Sequence, residues 1–308
     1  MATDAMVRTR SEQAGIVLIS CLLSLLVMAV ITSVYMMQAR GQLAEARGLQ
    51  QKIKQCSVAQ SHFDQVVFTL LTRRRDELSG VLASTVSGAE SDKGFWNYYA
   101  KPFEFFGSEV QLQDQAGLIS AQDLLFPNGE QFMRGLGIPD DQIRLFQASL
   151  RDWQDKDDLY RLDGAERDWY AQQGRPTPRN GTIGSVNELR LIRGFPERLN
   201  PYIERGWLTL RPQGFFNPLT APEPILAGFL NNSGLSAELD AARQLRPLAA
   251  TELRNRTGLF ESESLLMVPS RVLSVRVVAG DAYARCSKAF IVNLNGDTTL
   301  PYTLEATY

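Results

Sequence analysis

The feature that most constrains this sequence is an uncharged apolar run from Ile16 to Met37. A helix rises 1.5 Å per residue, so about 20 apolar residues span the hydrocarbon core of a bilayer. Helix-compatible sequence continues from Gln38 to about Leu82, with apolar residues recurring along it. The pattern predicts one long helix whose first half crosses a membrane and whose amphipathic second half packs on a folded domain.

Composition limits the classes of function. The length of 308 residues predicts a membrane helix with one or two compact modules. The formal net charge of −2 argues against a nucleic-acid binder held by general electrostatics. The single histidine, His62, excludes most histidine-based catalysis, because any Ser–His or Cys–His centre would have to use it. The cysteines lack CxxC spacing, which argues against a zinc cluster.

The first 15 residues are polar, and the apolar run begins abruptly after them. A secretory signal places a short apolar core before its cleavage site, so this order predicts either an uncleaved anchor or cleavage between Gly15 and Ile16. The junction resembles the leaders of type IV pilins and type II secretion pseudopilins. That resemblance implies a leader over 1–15, which a prepilin peptidase removes, and a transmembrane helix over 16–37.

Ser20 stands at the fifth position after the predicted cleavage site. Pilins usually carry glutamate there, where it meets the N-terminal amine of a neighbouring subunit during assembly. The large minor pseudopilin, the K subunit, is the family member that lacks this glutamate. The alternative interpretation is a serine that hydrogen-bonds to the preceding helical turn and has no further role.

The remaining sequence predicts an α+β fold. Residues 38–122 contain the amphipathic part of the long helix, an aromatic-rich segment typical of a core, and strands at 109–114 and 118–119. Residues 123–260 have helical patterning interrupted by Pro and Gly, which predicts a helical insertion domain. Residues 261–308 predict antiparallel strands at 271–279, 284–294 and 300–307, with a turn at Asn295-Gly296-Asp297.

Several segments resemble, in the same order, those of the minor pseudopilin K family (GspK) of type II secretion systems. They are Leu112–Leu124, Asp152–Asp157, Gly164–Tyr170, Pro178–Asn180, Ser185–Gly194 and Phe216–Pro222. The chain departs from the family at Pro218-Leu219, where a second asparagine and a β-branched residue are usual.

This resemblance implies a pilin-like long helix packed on an antiparallel sheet, with an insertion of the SAM-like or helix-hairpin type. It also implies a non-enzymatic subunit at the tip of the periplasmic pseudopilus. The expected partners are the I-type and J-type minor pseudopilins and the major pseudopilin, with no nucleic acid. The expected location is the inner membrane, crossed once, with the C-terminal domain in the periplasm.

An acidic run lies within the insertion, between Asp152 and Glu166. Carboxylates this close repel one another unless they are solvated, paired with cations or bound to a metal ion. Their spacing is not that of an EF-hand. From the residues alone, a solvated loop with arginine partners is the favoured interpretation. The family resemblance implies calcium, for which the candidate ligands are Asp155, Asp157, Glu166 and Asn180.

The cysteines allow one disulfide. Cys21 lies in the membrane run, so only Cys56 and Cys286 could meet in an oxidising periplasm. A bond between them would fix the last sheet to the long helix. The alternative is two separately buried thiols.

Two other classes of function compete with a structural subunit. The segments Gly135-Leu-Gly137-Ile and Leu191-Ile-Arg-Gly194 resemble helix-hairpin-helix turns, so the alternative function is a membrane-anchored periplasmic nucleic-acid-binding protein. A membrane-anchored hydrolase with paired acids is the second, but the sequence has no Gly-x-Ser-x-Gly motif.

Overall fold

The computed structural model describes residues 3–296 and 299–306, and the side chains of 17–296 and 299–305. The chain forms two compact units. The first contains the residues up to Ser57 together with Gly280–Arg285, and the second contains Val58–Ala279 and the residues from Cys286 onward. Asp297 of the predicted turn and residue 307 of the predicted last strand lie outside the described residues.

Helix α1, Thr3–Thr72, supplies most of the first unit. By length and composition it can cross a membrane, with a mean hydropathy of 2.7 in its most apolar window. The hydroxyls of Ser24 and Thr32 donate to the carbonyl oxygens four residues earlier, at 2.9 and 2.8 Å. These polar side chains therefore keep hydrogen-bond partners within the apolar helix.

The described strands are β1 Phe103–Phe105, β2 Ser108–Asp114, β3 Ile119–Ser120, β4 Leu208–Thr209, β5 Val272–Gly280, β6 Arg285–Asn293 and β7 Thr303–Ala306. Five of them form a sheet in the order β1-β2-β5-β6-β7. The pairs β1–β2, β2–β5 and β6–β7 are antiparallel. The predicted α+β class and the predicted C-terminal strands are therefore confirmed.

The part of α1 that belongs to the second unit packs on this sheet. Phe63, Val66, Val67 and Leu70 are at most 2% exposed and share one apolar core with β1, β2, β5 and β6. Their spacing of three and four residues places them on one face of the helix. The predicted aromatic core is also present, because Trp96, Tyr98, Phe103 and Phe105 belong to the same cluster.

Short helices make up the rest of the second unit. They are α2 Arg75–Leu78, α3 Ala83–Ser87, α4 Pro127–Gly135, α5 Asp140–Gln154, α6 Arg167–Gln172, α7 Asn200–Glu204, α8 Glu223–Leu230, α9 Ser233–Leu245 and α10 Ala250–Thr257. A second apolar core runs from Leu118 to Met267 and includes Phe132, Phe146 and Trp153.

The short strand predicted after β2 is present, but its neighbour is not β2. A 3₁₀ turn at Gln115–Gly117 follows β2, and β3 then pairs in parallel with β4. A parallel partner about 90 residues away leaves no local signal, so the sequence pattern could not reveal this pairing.

A buried carboxylate joins the sheet to the helices. Asp114 ends β2, is fully buried, and accepts hydrogen bonds from Ala116 N (3.1 Å), Thr220 Oγ1 (2.9 Å) and Ser270 N (3.2 Å). Asn217 Nδ2 lies 3.4 Å from the same carboxylate. Burial raises the pKa of Asp114, and the hydrogen bonds oppose that rise. Gly117 fits here because a Cβ would lie 2.4 Å from the carbonyl oxygen of Thr220.

We expect Asp114→Ala to lower the free energy of unfolding by about 3 kcal/mol, because it leaves several buried donors without an acceptor. Thermal melts of the full chain in detergent, followed by tryptophan fluorescence, measure the change. The control is Asp141→Ala at the exposed start of α5, which should shift the melt only slightly. Equal melting temperatures for the two variants would contradict the prediction that the Asp114 hydrogen bonds stabilise the fold.

Candidate metal centre

Three carboxylates meet between the end of α5 and the start of α6. Asp152 lies in the last turn of α5, Asp155 follows that helix, and Glu166 immediately precedes α6. Each can place one oxygen within 4.8 Å of oxygens of the other two. A Cβ on Gly164 would lie 1.8 Å from Asp152 Oδ2, so only glycine lets the chain pass this close. We call Asp152, Asp155 and Glu166 the acidic cluster.

Arg161 neutralises one side of the acidic cluster. Its Nη1 donates to Asp152 Oδ1 at 2.6 Å and also to Asp155 Oδ2. Its backbone N–H donates to Asp152 Oδ2 at 3.1 Å. Asp152 has no exposed side-chain surface, whereas the Arg161 side chain is 45% exposed. The loop that carries Arg161 is therefore tied to the end of α5 by charge-assisted hydrogen bonds.

Glu166 lacks this compensation. It is 3% exposed, and neither carboxylate oxygen has a hydrogen-bond partner within the described residues. Burial, followed by the charges of Asp152 and Asp155, raises the pKa of Glu166 to about 7. Asp155 Oδ1 is also buried without a partner. Buried oxygens of this kind are costly unless something binds them, and carboxylate oxygens are what Ca²⁺ prefers. The acidic cluster therefore fits a calcium ion.

The structure separates the four residues that the sequence suggested as ligands. Asp155 and Glu166 come together, but the carboxylate of Asp157 accepts from Leu159 N at 2.9 Å in an exposed loop. Asn180 has a φ of 53°. Its Nδ2 donates a hydrogen bond to the carbonyl oxygen of Asp157 at 3.2 Å, so Asn180 contacts the backbone of this loop.

Asp152 is the member of the acidic cluster that the candidate ligand set omitted. It belongs to the acidic run, but position in a run does not show which carboxylates face inward. The signal that could have found it is its spacing of three residues from Asp155, which places both near one face of α5 as that helix ends.

The N-terminal sites all lie on α1. Gly15 and Ile16 have helical backbone. Ser20 is exposed, and its carbonyl oxygen accepts from Ser24. Cys21 is an exposed free thiol.

The predicted disulfide concerns residues of both units. Cys56 belongs to the first unit and Cys286 to the second. The bond between them stays a prediction.

Two glycines of the hairpin-like turns, Gly135 and Gly194, have packing roles. A Cβ on Gly135 would lie 1.6 Å from the carbonyl oxygen of Gly228, so this glycine lets α4 cross α8 closely. A Cβ on Gly194 would lie 2.9 Å from Leu145 Cγ, and its φ of 75° is also one that favours glycine. Close packing therefore accounts for both glycines without a bound phosphate.

The single histidine contacts a serine. His62 Nδ1 lies 2.7 Å from Ser108 Oγ. Burial lowers the pKa of His62, and the charge of Asp92 opposes that change. Ser108 is only 2% exposed, so a substrate could not reach its hydroxyl. This pair ties α1 to β2 and does not have the geometry of an accessible nucleophile.

Comparisons with known proteins agree with the motifs. The family model of the type II secretion system protein K matches residues 118–210. Among solved structures, the chain is similar to one described as the GspK-GspI-GspJ complex from the type 2 secretion system of enterotoxigenic Escherichia coli. That similarity has 16% identity and a TM-score of 0.46, and covers 87% of this chain and 97% of that chain. No curated protein matches the sequence. The resemblance to the type II secretion system protein K family is therefore confirmed, with the family model matching over residues 118–210.

Proposed function

We propose that this chain is a minor pseudopilin of the type II secretion system that occupies the tip of the periplasmic pseudopilus. The observation that carries the proposal is the match of residues 118–210 to the protein K family. The apolar part of α1 supports a single-pass anchor in the inner membrane, with the second unit in the periplasm. In this role the chain is a structural subunit and not an enzyme.

The leader is proposed to end at Gly15. A prepilin peptidase would cut before Ile16, leaving the apolar part of α1 in the membrane with a new α-amine. The abrupt change from polar to apolar sequence at this junction supports the proposal.

We expect N-terminal sequencing of membrane-extracted protein to begin at Ile16. Coexpression with an inactive prepilin peptidase is the control and should leave the leader in place. A mature chain that begins at Met1 or Ala2 in the presence of active peptidase would contradict the proposal.

The expected partners are other pseudopilins. The similar solved structure is a complex that contains GspI and GspJ together with GspK. By analogy, this chain would bind the I-type and J-type minor pseudopilins and stand above the major pseudopilin.

The tip position is proposed because this chain can make the contact between a fifth-position carboxylate and an N-terminal amine on one side only. Filaments grow by heterologous contacts that repeat without closing. Ser20 offers no carboxylate to the amine of a subunit above, whereas the amine of Ile16 can still be accepted by a glutamate of a subunit below. The helical insertion would also obstruct a subunit above. The chain would therefore start or cap the filament and not extend it.

We expect labelled wild-type protein to mark one end of each assembled pseudopilus. Ser20→Glu restores a carboxylate at the fifth mature position, so the fraction of label away from the end should rise. Ser24→Glu, one helical turn further along, is the matched control and should keep the label at the end. Imaging of labelled filaments decides, and wild-type label along the whole filament would contradict the capping role.

We also propose that the acidic cluster holds calcium. Asp152, Asp155 and Glu166 would supply carboxylate oxygens, and the ion would neutralise the buried charge of Glu166. It would compete with the Arg161 guanidinium for Asp152 and Asp155. Asp157 and Asn180, the other candidates from the sequence, would act by holding the loop in place.

We expect calcium to raise the melting temperature of the wild-type chain, since a hundredfold excess over Kd stabilises the folded state by about 2.7 kcal/mol. Glu166→Gln should lose most of that gain, because it removes one negative ligand. Asp168→Asn, in the exposed first turn of α6, is the control and should keep the gain. Identical wild-type melts in calcium and in chelator would contradict the proposal.

The same variant should behave differently in chelator. The folded-state pKa of Glu166, about 7, lies above the usual value, so its stabilising contribution is present at low pH. That contribution is lost as the pH rises from about 4.5 through 7. Glu166→Gln should therefore melt higher than the wild type at pH 8 in chelator, and the difference should shrink at pH 4.5.

A further inference from the structure

A basic surface cavity lies where α1 ends. Its volume is about 450 Å³, and it is lined by residues 70–76 together with Val268, Pro269 and Arg271. Four of the lining residues are Arg73, Arg74, Arg75 and Arg271, and we call them the arginine cluster. The whole chain has a formal net charge of −2, so this concentration of positive charge is local.

The arginine cluster has few internal partners. Arg74 pairs with Asp76 at 2.7 Å and with Glu77 at 3.3 Å, and these side chains are mostly exposed. Across the described ranges, 3–296 and 299–306, no ion pair joins Arg73, Arg75 or Arg271 to a carboxylate. Like charges held this close to one another are stabilised by an anion placed between them.

One buried donor without an acceptor belongs to the arginine cluster, and a second lies in the adjoining cavity. Arg75 Nε is buried and has no hydrogen-bond partner in the part of the chain that the structure describes. An adjoining cavity of about 290 Å³ shares Asp76 and Pro269 with the first and is lined in part by Tyr98. The Tyr98 hydroxyl is also buried without a partner. Burial raises the pKa of Tyr98, and the charge of Arg75 opposes that rise, so the two donors lie within electrostatic range.

Stabilisation of α1 explains only part of this arrangement. Cations near the C-terminal end of a helix interact favourably with its dipole, which accounts for Arg73 and Arg74. It does not account for Arg271, which comes from the segment before β5, or for the orphaned Nε of Arg75. Donors from two separate segments converge on one cavity, as they do in sites that recognise an oxyanion.

We propose that the arginine cluster binds an acidic segment of a protein partner through its side-chain carboxylates. The guanidinium fork matches the planar carboxylate, and two such groups can be bound side by side. The cavity wall also includes Leu71, Val268 and Pro269, which can contact the methylene groups of glutamate side chains. An inorganic phosphate ion has no apolar part to fill that wall. The proposal does not depend on the tip position or on calcium.

The test is calorimetric titration of the full chain in detergent with hexaglutamate, with hexaglutamine and inorganic phosphate as comparison ligands. We expect hexaglutamate to bind, with affinity falling as salt rises, and hexaglutamine not to bind. Arg73→Gln combined with Arg271→Gln should weaken hexaglutamate binding about tenfold or more, which corresponds to about 1.4 kcal/mol per factor of ten. Both side chains are exposed, so the fold should persist.

The charge-matched control is Arg144→Gln combined with Arg175→Gln, two exposed positions outside the cavity. It should bind hexaglutamate like the wild type. If both double variants lost the same affinity for hexaglutamate, the net charge alone would explain binding, and the proposal would be overturned. Binding of phosphate without binding of hexaglutamate, or equal binding of hexaglutamine, would overturn it as well.

Discussion

The second unit depends on a carboxylate that is buried where the sheet ends. Asp114 has no contact with water, yet it is held by donors from three separate segments, and the nearest of these is Thr220 Oγ1 at 2.9 Å. A buried carboxylate is tolerated only when its oxygens are satisfied, so Asn217, Thr220 and Ser270 must all be in place together. The sheet that ends at Asp114 and the segments that contain Asn217, Thr220 and Ser270 are therefore expected to fold together.

This junction gives a physical meaning to two of the sequence motifs. The segment around Asp114 and the segment around Asn217 look unrelated in the sequence, about 100 residues apart, but they are two halves of one contact. Pro218-Leu219, where the chain departs from the family, lies between the two hydrogen-bonding residues Asn217 and Thr220. The departure leaves the contact intact, since Asn217 and Thr220 both reach Asp114.

Local sequence patterns predicted most of the helices and strands. Contacts between segments far apart in the sequence could not be predicted from them. The apolar face of α1 and the alternation in β2 and β5 predicted these elements, because periodicity reports directly on burial. The pairing of β3 with β4 was not predictable, since two-residue strands have no period. The same limit applied to the acidic cluster, where the run indicated many carboxylates but only the end of α5 and the start of α6 select Asp152, Asp155 and Glu166. The packing of Gly135 against Gly228 is a third case, because the turn sequence also resembles a phosphate-binding hairpin and does not show what the glycine contacts.

At the acidic cluster, the proposed calcium ion would compete with Arg161 for the same carboxylates. Arg161 satisfies Asp152 and Asp155, but Glu166 receives nothing from it. A guanidinium brings one positive charge to three carboxylates, whereas a divalent cation brings two and accepts more oxygens. Without the cation, burial and the neighbouring carboxylates raise the pKa of Glu166 to about 7, so its neutral form is favoured as the pH falls below that value. In the proposed calcium-bound state, the ion would take over part of the neutralisation that Arg161 supplies to Asp152 and Asp155. Calcium binding would thus be coupled to the loop that carries Arg161.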